Sequence, residues 1–145
     1  MAAASPGDSG APQIHWKAPD GWTEVPPSSM RYASFSASSD EGGKIDISIV
    51  TFAGDGGSDA DNINRWREQM GLAPVDANAV TSQVAPLKTA DTTFSTTDIA
   101  GDKTCTIAAW TRRDGRVWFF KATGPNAAVE KEKPKFVKFI ESVRF

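Results

Sequence analysis

The stretch Gly54-Asp55-Gly56-Gly57-Ser58-Asp59-Ala60-Asp61-Asn62-Ile63-Asn64-Arg65-Trp66-Arg67-Glu68-Gln69-Met70-Gly71-Leu72 decides the fold. It reads as a glycine loop feeding a capped helix that a further glycine stops. Ser58 or Asp59 can serve as N-cap, because a short side-chain oxygen accepts an orphan backbone N–H there. Asp59 and Asp61 place negative charge in the first turn, where the helix dipole favours it. Ala60, Ile63, Trp66 and Met70 recur at helical spacing and fall within one arc. Gly71 suits the left-handed C′ position, Leu72 can pack back on Trp66 in a Schellman ending, and Pro74 forbids continuation.

The arginines of this helix differ. At about 100° per residue, Arg65 points away from the apolar arc while Arg67 falls inside its edge. Arg67 can bury its stem and carry its head to a carboxylate or a backbone carbonyl, fastening helix to sheet. The sharper alternative is an anion site built from Arg65 or Arg67 and the backbone N–H groups of the Gly54–Gly57 loop. On that alternative Gly56, Gly57, Asn62, Arg65 and Arg67 are the candidate anion- or partner-binding residues.

Outward from the helix, the chain reads as strands. Met30 to Ala37 and Lys44 to Phe52 pair as a hairpin across Asp40-Glu41-Gly42-Gly43. Ile45, Ile47 and Ile49 alternate with Asp46 and Ser48, as in a half-buried strand. Residues 73–91 are proline-interrupted and read as a connection with a short strand near Val84–Leu87. A meander follows over Thr92–Ile99, Lys103–Arg112 and Arg116–Thr123, its last turn supplied by Asp114-Gly115, a strong two-residue hairpin signal. Val117-Trp118-Phe119-Phe120 is apolar on both faces, which predicts a central strand covered on both sides. After Gly124-Pro125-Asn126 a helix runs to about Ser142, with Phe136, Phe139, Ile140 and Val143 on one face and Lys135, Lys138 and Glu141 opposite. Pro134 is expected to kink it or to start a second segment.

At 145 residues, with 39% hydrophobic and 23% charged side chains, the chain is sized for one domain with a sizeable core. A formal charge of −2 gives no electrostatic case for nucleic acid or an anionic membrane. No apolar run approaches the roughly 18 residues that span a bilayer. Residues 1–13 are small and flexible, a linker or frayed end ahead of a single domain over 14–145. They lack the basic start and apolar core of a signal peptide. A chain starting after a removed leader would look like this, as would a cytoplasmic protein with a loose end.

Chemistry is sparse. Cys105 and His15 are each the only residue of their type, so a Cys/His zinc site is close to excluded and no cofactor is implied. His15, between Ile14 and Trp16, reads as a strand residue. Gly56-Gly57-Ser58-Asp59-Ala60 resembles a degraded nucleophile elbow, but Ala60 stands where a glycine is needed and His15 precedes the serine. A serine hydrolase using Ser58 and His15 is therefore the remote alternative. Asp55, Asp59 and Asp61 echo a calcium loop, yet Trp66 stands where the closing Glu belongs.

Ala18-Pro19-Asp20-Gly21-Trp22 followed by Met30-Arg31-Tyr32-Ala33-Ser34-Phe35 resembles the start of PsbP-like domains. Those are related to the Mog-type fold and to small bacterial envelope lipoproteins. Phe136-Val137-Lys138-Phe139-Ile140-Glu141-Ser142-Val143-Arg144-Phe145 is similar to their closing helix, and Asn62 to Leu72 to a segment of exported bacterial proteins of this type. The resemblance spans 16–145. It implies an α/β/α sandwich around a mainly antiparallel sheet, with helices near 58–70 and 126–142. It further implies a non-catalytic binding or accessory module of the cell envelope or periplasm, partnered by a protein or a small ligand. A longer precursor could carry a lipid anchor. No photosystem or Ran-binding surface residue can be matched here.

Overall fold

The computed structural model describes residues 14–26, 31–38 and 43–145. The expected linker over 1–13 and the Asp40-Glu41-Gly42 part of the first hairpin turn lie outside the described residues. In chain order the elements are β1 (Trp22–Val25), β2 (Ala33–Ser38), β3 (Lys44–Ala53), α1 (Asp59–Gln69), α2 (Ala77–Val80), a 3-10 turn (Thr81–Gln83), β4 (Ala85–Lys88), β5 (Thr93–Ala100), β6 (Thr104–Arg113), β7 (Arg116–Pro125) and α3 (Asn126–Ser142). The strands form one seven-stranded sheet in the order β1-β2-β3-β7-β6-β5-β4, antiparallel throughout.

The strand β7 lies at its centre, as its sequence requires. Successive side chains of a strand point to opposite faces, and here each face is covered by a helical layer. Trp118 and Phe120 enter a cluster with Phe136, Phe139 and Ile140 of α3. Val117 and Phe119 enter a separate cluster with Ile63 and Trp66 of α1. The result is an α+β sandwich with α3 on one side and α1 with α2 on the other.

Local chemistry sets the element ends. Ser58 is the N-cap of α1, its Oγ accepting the Asp61 N–H at 3.1 Å. At the far end Leu72 N–H donates to the Arg67 carbonyl (2.9 Å) and Gly71 N–H to the Glu68 carbonyl (3.0 Å), the two bonds of a Schellman motif. Gly71 has φ +76°, the left-handed conformation that this ending demands. Asp114 (φ 53°) and Gly115 (φ 74°) are both left-handed, as a type I′ hairpin turn needs.

Two expectations change. The connection over 73–91 contains the short helix α2 and the 3-10 turn before its strand. Four residues are too few for an apolar period to show, and Val80 alone is buried. Of the alternatives at Pro134 a second segment does not form, since Pro134 lies inside the single helix α3. Pro134 and Glu130, whose carbonyl loses its helical donor, are both exposed, so water can take the donor's place.

The glycine loop supplies a paired test. Gly54 (φ +93°) and Gly56 (φ +73°) are both left-handed, but only Gly56 is close-packed. An added Cβ there would stand 2.6 Å from Cγ1 of buried Val117, whereas nothing lies within 4 Å of one at Gly54. Gly54→Ala is expected to cost about 1 kcal/mol of unfolding free energy from backbone strain. Gly56→Ala should cost roughly 1–3 kcal/mol more through overpacking, measured by denaturant titration.

Candidate functional site

The glycine loop is held from three directions. Gly54 N–H donates to the Gly115 carbonyl at 2.7 Å, tying the loop to the β6–β7 turn. Asp55 Oδ1 accepts the Gly57 N–H at 3.0 Å. From β6, Arg112 donates Nε–H to the Asp55 carbonyl (2.8 Å) and Nη2–H to the Gly57 carbonyl (2.9 Å). The same Nη2 reaches Asp59 Oδ1 at 3.0 Å, which also accepts the Trp110 indole N–H at 2.9 Å. Arg112 is thus the arginine that serves this loop. It sits in the sequence as an ordinary exposed strand residue, and only the β6–β7 register brings it there.

The sequence candidates are dispersed. Gly57's N–H is taken by Asp55, and Gly56 is pressed against Val117 and Phe119. Arg67 donates Nε–H to the Ala73 carbonyl at 2.7 Å and so fastens the chain after α1. Asn64 performs a matching task, exchanging hydrogen bonds with Val75 N (2.8 Å) and Val75 O (3.0 Å). Asn62 is wholly buried, and neither polar atom of its side chain has a partner among the described residues. Ser58 caps α1, whereas His15 bridges Arg144 beyond the end of α3, in the opposite layer. Among the described residues no cluster of His, Cys, Asp and Glu could hold a metal ion.

Arg65 stands apart from these internal roles. Its guanidinium lies over the Trp66 ring, 5.9 Å from the centroid, and Lys121 Nζ lies over the same ring at 5.5 Å. Lys121 belongs to β7 and faces the α1 side, with Ser48 beside it on β3 and Ser34 beyond that on β2. Arg31 stands at the edge of this floor, donating to both oxygens of Asp46 (2.9 and 2.7 Å) and to Ser34 Oγ (2.7 Å). Asp46 therefore answers Arg31. Among the described residues, no carboxylate forms an ion pair with Arg65 or Lys121. Burial holds the Lys121 ammonium below the ordinary lysine value, and Arg65 and Arg31 push it the same way, with Asp46 opposing.

A concavity lies on the α3 side. A groove of about 330 Å³ runs between β4–β5 and α3, with Val84, Leu87, Ile107, Phe136 and Val137 in its wall. An ion pair of Lys133 with Asp98 crosses its rim. Nearby, burial and then Asp98 push the Cys105 thiol upward, which suits an inert core cysteine.

The layer order and strand pairing define a PsbP-like fold. LpqN of Mycobacterium tuberculosis, a protein involved in cell envelope biogenesis, aligns with a TM-score of 0.52 at 13% identity, over 97% of this chain and 87% of LpqN. Cyanobacterial PsbP from Synechocystis aligns at 0.51 and 15% identity, over 97% of each chain. A Bacteroides thetaiotaomicron protein aligns at 0.50 and 14% identity, over 90% of this chain and 44% of its own length. No protein-family model matches the chain, and no curated protein sequence does either.

Three outcomes follow from this geometry. Arg112→Ala should lower unfolding free energy by about 1 kcal/mol, because the loop carbonyls then turn to water. Arg65→Ala should stay within about 0.5 kcal/mol of wild type, as for an exposed residue. The Lys121 effect has a definite sign. Its folded value lies below its unfolded value, so the charged lysine weighs fully against folding at neutral pH. Through the alkaline window between those values the unfolded chain holds more protons, and wild type should gain stability relative to Lys121→Met. Paired denaturation curves across that window check it.

Proposed function

We propose that this protein is a non-catalytic binding or accessory module of the bacterial cell envelope. The observation that carries this reading is the likeness to LpqN over 97% of the chain. The geometry supports it as well. The glycine loop and the residues at the start of α1 are spent on one another, while the groove beside α3 offers a concave surface to a partner. The partner is a protein or a small ligand. A net charge of −2 does not favour nucleic acid. No helix among the described residues is long and apolar enough to cross a membrane, so residence in the envelope would rest on export, or on an anchor carried by a longer precursor.

A small-ligand reading is favoured by one specific observation: Arg65, a sequence candidate with Gly56, Gly57, Asn62 and Arg67, makes no ion pair among the described residues. In that reading the protein captures an anion with Arg65.

Localisation tests the envelope reading. In a bacterium that makes the protein, fractionation with protease treatment of spheroplasts should find it outside the cytoplasmic membrane and cleavable without lysis. Recovery in the cytosol, protected until lysis, would overturn it.

A further inference from the structure

We propose that Arg65 and Lys121, with Ser48 between β2 and β7, form a site for a dianionic oxyanion of the phosphate type on the α1 face of the sheet. The inference deepens the small-ligand reading above, rests on it at Arg65, and is independent of where the protein resides.

The sandwich is asymmetric. On the α1 side, α1 and α2 cover the β5-β6-β7 half of the sheet, where Ile99, Ala108, Trp110, Val117 and Phe119 form the apolar cluster. On the β2-β3 half, the same face carries Ser34, Ser48 and Asp46. Lys121 sits at the seam between the two halves. A half-buried ammonium normally has a carboxylate beside it, since stripping water from a charge without replacing it is costly. Lys121 instead has Arg65 as neighbour, and both cations crowd one indole ring at 5.5 and 5.9 Å. Asp46, the nearby acid, already holds both oxygens toward Arg31. Asp61 and Glu68 lie on the helix face around Arg65 without forming an ion pair with it.

Charge and shape select the ligand class. Two cations that form no ion pair among the described residues are matched by two negative charges on one small group. A guanidinium offers forked donors, and an ammonium a compact charge that suits tetrahedral oxygens. Ser48, buried on β3 directly beside Lys121, adds a neutral donor from the floor. An arrangement that weakens the free fold and is relieved by a ligand is the usual mark of a binding site.

The test uses the whole chain with inorganic phosphate, against chloride at matched ionic strength. Phosphate should raise the melting temperature by several degrees at saturation and move the Trp66 indole N–H signal in proton–nitrogen correlation spectra. Lys121→Met should melt higher than wild type without phosphate and show no phosphate response. Arg65→Gln should keep the wild-type melting temperature and weaken phosphate by about tenfold or more. Flotation with vesicles containing phosphatidic acid, lost in Lys121→Met, would assign the same oxyanion to a lipid headgroup, and a response to free phosphate assigns it to a solute. A response that survives Lys121→Met but vanishes in Arg65→Gln, with shifts at the Gly56 and Gly57 amides, would overturn the sheet-face site and leave the loop reading standing. No response of wild type to either probe overturns the proposal outright.

Discussion

The pairing of β3 with β7 is the contact on which everything else rests. It runs from Asp46↔Thr123 to Ala53↔Arg116 and joins the N-terminal hairpin to the C-terminal meander. Without it the chain would be two small sheets, each with one apolar face poorly covered. With it, Ile47 and Ile49 extend the floor on which α3 packs, and the aromatic run of β7 finds walls on both sides. Each large apolar side chain buried there contributes about 1.5–3 kcal/mol, so the seam concentrates a substantial part of the folding free energy. Its residues are some seventy positions apart in sequence, a separation that makes this pairing slow to form.

The layered fold was legible because its decisive signals are local. Four consecutive apolar residues at 117–120, an Asp-Gly turn at 114–115 and a glycine at 71 each carry their reason with them. The parts that could not be read depend on register. Arg112 reaches the loop from across the sheet, and Asn64 clamps Val75 by a contact eleven residues away. Lys121 looks in the sequence like any polar residue between Phe120 and Ala122, and only the position of α1 sets it over Trp66. Arg65 could be singled out because the helical wheel separated it from the apolar arc. What its charge would meet could not be, since that is decided by β7. The short helix α2 left no periodic trace at all.

The loop and the cationic face illustrate opposite uses of arginine. Arg112 satisfies two carbonyls of the glycine loop, so its charge is absorbed by the scaffold. Arg65 and Lys121 form no ion pair among the described residues, and a near-neutral total charge conceals this local separation. Net charge therefore describes solubility well and surface chemistry poorly for this chain.

The ends of the sheet carry a consequence of their own. The edge strands β1 and β4 have four residues each, and β4 contains Pro86. A strand so short offers few free backbone groups to a second chain, and proline removes one donor from the row. The sheet thus ends bluntly at both sides, which disfavours growth by strand addition.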